Sequence, residues 1–151
     1  MTRQAAHSDP IWRERSNFII ATAIDPAGSD LTTEQFWARK VDDSHFELCC
    51  IPFFAYDLAL GDVVETDSQH MVRRVSTASG RFVFRAWFGD SSYMRDEIAH
   101  ELTARGALLE VSSTNLLAID ARDQVHAQEL ADFLQEQEDL GRLIYETGKT
   151  A

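Results

Sequence analysis

Only two cysteines and few positive charges occur in these 151 residues, and each scarcity excludes something. Two cysteines cannot build a disulfide framework, which points to a reducing cytoplasm. No apolar run approaches the roughly 20 residues that a membrane helix needs. The first residues, MTRQAAHSDP, lack the apolar stretch of a secretory signal. Glycine-rich phosphate loops, Gly-x-Ser-x-Gly, Ser-x-x-Lys and Cys-x-x-Cys are all missing. No two histidines stand at the i, i+4 spacing of a helical zinc site. Fourteen Lys+Arg against 25 Asp+Glu leave a net charge of −11, which repels nucleic-acid phosphates and anionic lipid.

What is present is enough for a core: 44% of residues are hydrophobic and 10% aromatic. The charge is uneven. Residues 1–89 carry 9 basic and 12 acidic side chains, a net of −3, whereas residues 90–151 carry 5 and 13, a net of −8.

The pattern predicts strands at 18–24, 34–41, 45–51, 63–66, 71–77, 81–88, 107–113, 116–121 and 142–147. Turns are expected at Asp25-Pro26-Ala27-Gly28, Asp42-Asp43-Ser44, Ala78-Ser79-Gly80 and Thr114-Asn115. The last three of these are read as hairpin turns. FFAYDLAL, after Pro52, reads as one or two helical turns ended by Gly61. A helix capped by Asp90-Ser91-Ser92 presents Met94, Ile98 and Leu102 on one face and stops at Gly106. A second helix, from Arg122 to about Asp139, presents Leu130, Phe133, Leu134 and Gln137 and stops at Gly141.

The expected fold class is therefore α+β. A small bent N-terminal antiparallel sheet (17–80) packs on a ferredoxin-like β-α-β-β-α-β half (81–147). Residues 1–16 are expected as a flexible N-terminus or an edge strand, and 148–151 as a tail. Strands 81–88 and 142–147 are expected as the central pair. Arg81, Val83, Arg85 and Trp87 share one face of their strand, and the N-terminal strands carrying Phe18, Ile20, Phe36 and Leu48 are its expected cover. Under such cover Arg85 needs an acidic partner.

Candidate chemistry is sparse. Cys49 and Cys50 are neighbours on a strand and point to opposite faces, so they cannot chelate one ion together. His45 lies about 13 Å along the strand from Cys49, too far for a nucleophile–base pair. Both thiols read as small core hydrophobes. His100 and His126 read as solvated helix histidines. Neither a metal nor a cofactor is expected, and no enzyme activity. Glu129, Asp132, Glu136 and Asp139, spaced 3, 4, 3, form one stripe of the second helix. They are the candidate docking residues for another protein, basic in character. Arg73, Arg81, Arg85 and Trp87 are the alternative, a site for a small anion or peptide. The functional expectation is a non-catalytic, acidic protein-binding domain, with an immunity or inhibitor protein acting on a bacterial toxin domain as its most concrete form. A small-ligand-binding or regulatory domain is the alternative. Nothing in the sequence fixes the oligomeric state.

The run FWARKVDDSHFELCCIPFFAYDLALGDVVE (36–65) carries Trp37-Ala38, Ile51-Pro52-Phe53-Phe54 and Gly61-Asp62-Val63-Val64. It resembles a bacterial family known only as domain-of-unknown-function family 4265. Gly80 to Arg85, Gly106, Glu110, Leu117 to Asp120, and Gly141 to Glu146 continue the resemblance, which spans about residues 34–147. The chain departs from the pattern at residues 49 and 81–84, where cysteine and Arg-Phe-Val-Phe replace polar or small residues. The resemblance implies no catalytic residues.

Overall fold

The computed structural model describes residues 3–24, 31–89, 92–113 and 115–149. The expected caps at Asp90 and Ser91, the turn at Asp25-Pro26-Ala27-Gly28 and Thr114 lie outside them, as does the side chain of Ser92. Two sheets and two helices give the α+β class.

The first sheet contains β1 (Arg3–Ala5), β2 (Phe18–Ala23), β3 (Leu31–Lys40), β4 (His45–Leu48), β5 (Val63–Thr66) and β6 (Val72–Thr77). β3 is its spine. On one side it pairs β2 antiparallel, Phe18 opposite Ala38 through Ala23 opposite Thr33. On the other it pairs β1 in parallel and then β4 antiparallel. The sheet is therefore mixed, not wholly antiparallel. It bends until β2 meets β6: Ala21 bridges Met71, and the Ala21 amide donates to the His70 carbonyl at 3.1 Å. The enclosed core is Ile20, Phe36, Ala38, Phe46, Leu48, Cys50, Ala55, Leu58 and Val64.

The second sheet has the order β10 (Ile144–Lys149), β7 (Phe82–Trp87), β9 (Leu116–Ala121), β8 (Leu108–Ser113), antiparallel throughout. With α1 (Ser92–Ala104) and α2 (Gln124–Asp139) this is the ferredoxin-like order. The central strands are β7 and β9, so 142–147 falls at an edge, contrary to expectation. Ile98, Leu102, Leu130, Phe133 and Leu134 pack with Phe84, Ala86, Leu117 and Ile119 as their spacing predicts. Asp123 caps α2 by accepting the His126 amide at 2.8 Å.

Four further expectations change. β6 and β7 flank Ala78-Ser79-Gly80 but lie in different sheets, so this is a crossing and not a hairpin. Within residues 3–16 the flexible terminus gives way to the edge-strand alternative: β1 stands at the end of the first sheet, and a 3₁₀ turn follows at Arg13–Arg15. Residues 148 and 149 likewise belong to β10. The open face of β7 is covered by Ile51, Phe53, Ala59 and Leu60, which pack on Val83, Leu116 and Ala118. The strand residues Phe18, Ile20, Phe36 and Leu48 pack in the other core instead.

Candidate functional site

The stretch expected as a short helix after Pro52 is irregular, and its hydrogen bonds give the reason. An amide bonded to a side chain does not bond the carbonyl four residues back. Glu34 accepts the amides of Phe53, Phe54 and Ala55 at 2.6, 3.0 and 2.9 Å. Glu110 accepts the amide of Ile51 and, at 3.4 Å, that of Ile11. Pro52, between them, has no amide to satisfy. From the other side, Arg85 Nη1 donates to the carbonyls of Ala55 at 2.8 Å and Pro52 at 3.4 Å. Two carboxylates and one guanidinium thus hold the loop where the two sheets meet. Bonds from backbone amides to an ionised acceptor are among the stronger ones, net about 1.5–3 kcal/mol each.

Glu34 reaches this position because Glu34, Phe36 and Ala38 share the inward phase of β3. Between the two carboxylates lies His7. Its Nε2 is 2.7 Å from Glu34 Oε2 and its Nδ1 2.8 Å from Glu110 Oε1. Carboxylates only accept, so both ring nitrogens donate and the ring is an imidazolium. Phe53 stacks on it at 3.9 Å, and Trp37 Nε1 donates to the His7 carbonyl at 3.0 Å. Burial works against the charged ring, but contacts with Cys50, Glu110 and Glu34 overcome it and push the pKa up to about 12. Burial also pushes the Cys50 thiol up, while the Glu34 and Glu110 carboxylates hold the two edges of the ring.

Cys50 Sγ, one ring nitrogen of His7 and a Glu110 oxygen lie within 4.8 Å of one another. Both cysteines are fully buried, as expected of core residues. Burial first, and the Glu47 carboxylate next, push the Cys49 thiol up to about 11.

Other buried charges along this seam are also paired. Arg85, fully buried, has the acidic partner it was expected to need: Nε donates to Glu146 at 3.1 Å. Tyr56 covers the guanidinium at 4.7 Å and donates its hydroxyl to Glu146 at 2.6 Å. Asp62, in the Gly-Asp-Val-Val run, accepts from Lys149 Nζ at 2.7 Å and from the amides of Ala59 and Ser79 at 2.9 and 2.8 Å. Arg81 grips buried Asp120 through Nη2 at 2.8 Å and Nε at 3.0 Å.

The alternative ligand residues therefore do not share an open face. Arg81 and Arg85 spend their charge internally, Trp87 packs against the loop cover, and Arg73 is exposed on β6 in the other sheet. Glu129, Asp132, Glu136 and Asp139 are all exposed on α2. His126 is buried, not solvated: its Nδ1 accepts the Arg122 amide at 3.1 Å and its Nε2 donates to the Arg105 carbonyl at 2.8 Å, closing the end of α1. His7, Glu34 and Glu110 are what residue spacing missed. A carboxylate on the apolar phase of β3 was the available signal for Glu34, and Glu110 stood in the quoted family pattern.

Fold and site together define an α+β domain with two sheets joined by a buried, charge-lined seam. The chain belongs to the family described as "Domain of unknown function (DUF4265)", whose model matches residues 34–145. It is similar in fold to a hypothetical protein from Neisseria gonorrhoeae, with a TM-score of 0.68 and 19% identity over 88% of this chain and 96% of that one. No curated protein matches it.

Proposed function

We propose that this chain is a non-catalytic, acidic protein-binding domain whose docking surface is α2. In its finer form the proposal is an immunity or inhibitor protein that neutralises a basic toxin domain. The observation that carries the reading is the charge of α2: Glu129, Asp132, Glu136, Glu138 and Asp139 lie within Gln124–Asp139, and that segment has no Lys or Arg. The groove between α1 and α2, about 260 Å³, adds Glu97 and Glu101 but also Arg105 and Arg142, so the uncompensated excess lies on α2. Such a surface raises the encounter rate with a basic partner. The interior supports the same reading, because its ionic groups are engaged in holding the loop and both thiols are kept protonated by burial.

The test is affinity capture from the native host, followed by association kinetics against the captured protein. The partner is expected to be basic, to associate more slowly as salt rises, and to lose about tenfold or more in on-rate against Asp132→Lys/Glu136→Lys. An unchanged on-rate at low salt overturns the reading.

One observation favours the small-ligand alternative. Arg85 Nη2 is buried and has no hydrogen-bond acceptor among the described residues. Tyr56, 55% exposed, lies over the same guanidinium. Titration with inorganic phosphate, read by tyrosine fluorescence in wild type and Arg85→Lys, tests this.

A further inference from the structure

We propose that His7, Cys50 and Glu110 form a binding site for a zinc-class divalent cation, which clamps three separate parts of the chain together. His7 lies in the N-terminal arm after β1, Cys50 at the start of the loop that leaves β4, and Glu110 on β8 of the second sheet. Their donor atoms lie within 4.8 Å of one another, and all three residues are buried.

The position follows from the hydrogen bonds. Glu110 Oε1 touches His7 Nδ1 at 2.8 Å, so an ion shared by the imidazole and Glu110 sits on the Nδ1 edge of the ring. The opposite edge, Nε2, stays on Glu34 at 2.7 Å. That is the outer-shell arrangement typical of metal-bound histidine, in which a carboxylate accepts the second ring N–H and fixes the ring. Glu34 is itself held by three backbone amides, so this outer partner is rigid.

The donor set selects the metal. One sulfur, one imidazole nitrogen and one carboxylate oxygen suit zinc or cobalt, whereas calcium and magnesium take oxygen sets. Three protein donors leave one tetrahedral position for water.

Charge and protons balance. Without metal the cluster holds one imidazolium, two carboxylates and a neutral thiol, a net of −1. When a divalent ion enters, the Nδ1 proton and the Cys50 thiol proton leave, and the net charge is again −1. The swap of one dication for two protons adds no buried charge, which is the usual obstacle to ion binding in a core. The inference does not depend on the role given to α2.

The experiment uses the full chain, stripped with a chelator and titrated with cobalt(II) and then zinc(II). One equivalent of cobalt is expected to give a thiolate-to-cobalt charge-transfer band and tetrahedral visible bands, both removed by zinc. Cys49→Ser should keep the band and Cys50→Ser should lose it. Glu34→Gln should weaken affinity by about 10–100-fold while keeping the band. No band in wild type, a band that survives Cys50→Ser, or one lost equally in Cys49→Ser overturns the proposal. If Cys50→Ser does not fold, alkylation of wild type mapped by mass spectrometry decides. Zinc should slow Cys50 modification at least tenfold relative to Cys49, and equal slowing at both sites overturns the site.

Discussion

The seam between the sheets and the outer face of α2 are both rich in charge, and they use it in opposite ways. In the seam, Glu34, Glu110 and His7 are within 2–4% of full burial or completely buried, and each carboxylate oxygen has a named donor. Along α2 the carboxylates face solvent without a basic partner on the same helix. A buried charge is costly alone and acceptable only inside a complete network. An exposed charge contributes little to stability and is free to act on a partner at a distance. The same residue type is structural in one place and a candidate for recognition in the other.

The sharpest way to break this contrast is Glu34→Ala. It strands the imidazolium and three backbone amides, so a loss of about 3–5 kcal/mol is expected by urea unfolding. A loss below about 1 kcal/mol would mean that the seam is no more critical than a surface position.

Next in size is the pH dependence of metal-free protein. His7 has its folded pKa raised above the unfolded value near 6.5, so its stabilisation is complete below about 6.5. It is lost as the pH rises from there toward about 12. The stability difference between wild type and His7→Gln should shrink by up to about 1.4 kcal/mol per pH unit between about pH 7 and pH 9. A difference that stays flat over that range would show that His7 is neutral.

A smaller effect is expected from Gly148→Ala on β10. Its new Cβ would lie 3.0 Å from Arg85 Nη2, 3.1 Å from Cζ and 3.3 Å from Val83 Cγ1. Overpacking of this kind costs about 1–3 kcal/mol, measurable as a lowered urea midpoint at unchanged slope. The smallest effect belongs to the other region. Asp132→Lys/Glu136→Lys should stay within about 0.5 kcal/mol of wild-type stability, because both side chains are exposed. A large loss there would erase the distinction between the two regions.

Much of the architecture was legible in residue order. The β-α-β-β-α-β succession, the inward faces of both helices and the need for an acid near Arg85 follow from periodicity and from the cost of a lone buried charge. The irregular course of FFAYDLAL was not legible, since local propensity favours a helix there. Its amides go to Glu34, about twenty residues earlier, and the amide of Ile51 goes to Glu110, 59 residues later. His7 was hidden for a similar reason: its partners are 27 and 103 residues away. No spacing rule links such positions, because metal and catalytic motifs are recognised when ligands share one helix or one loop.

Alone, the sequence determined the α+β class, the acidic character of the C-terminal portion and the core faces of α1 and α2, since each depends on composition or on contacts a few residues apart. Only the tertiary structure decided which carboxylates were buried, which thiol met an imidazole and which strands stood at the centre of the second sheet. Those outcomes depend on long-range pairing, where desolvation makes an unpaired ion intolerable and so forces distant residues to meet.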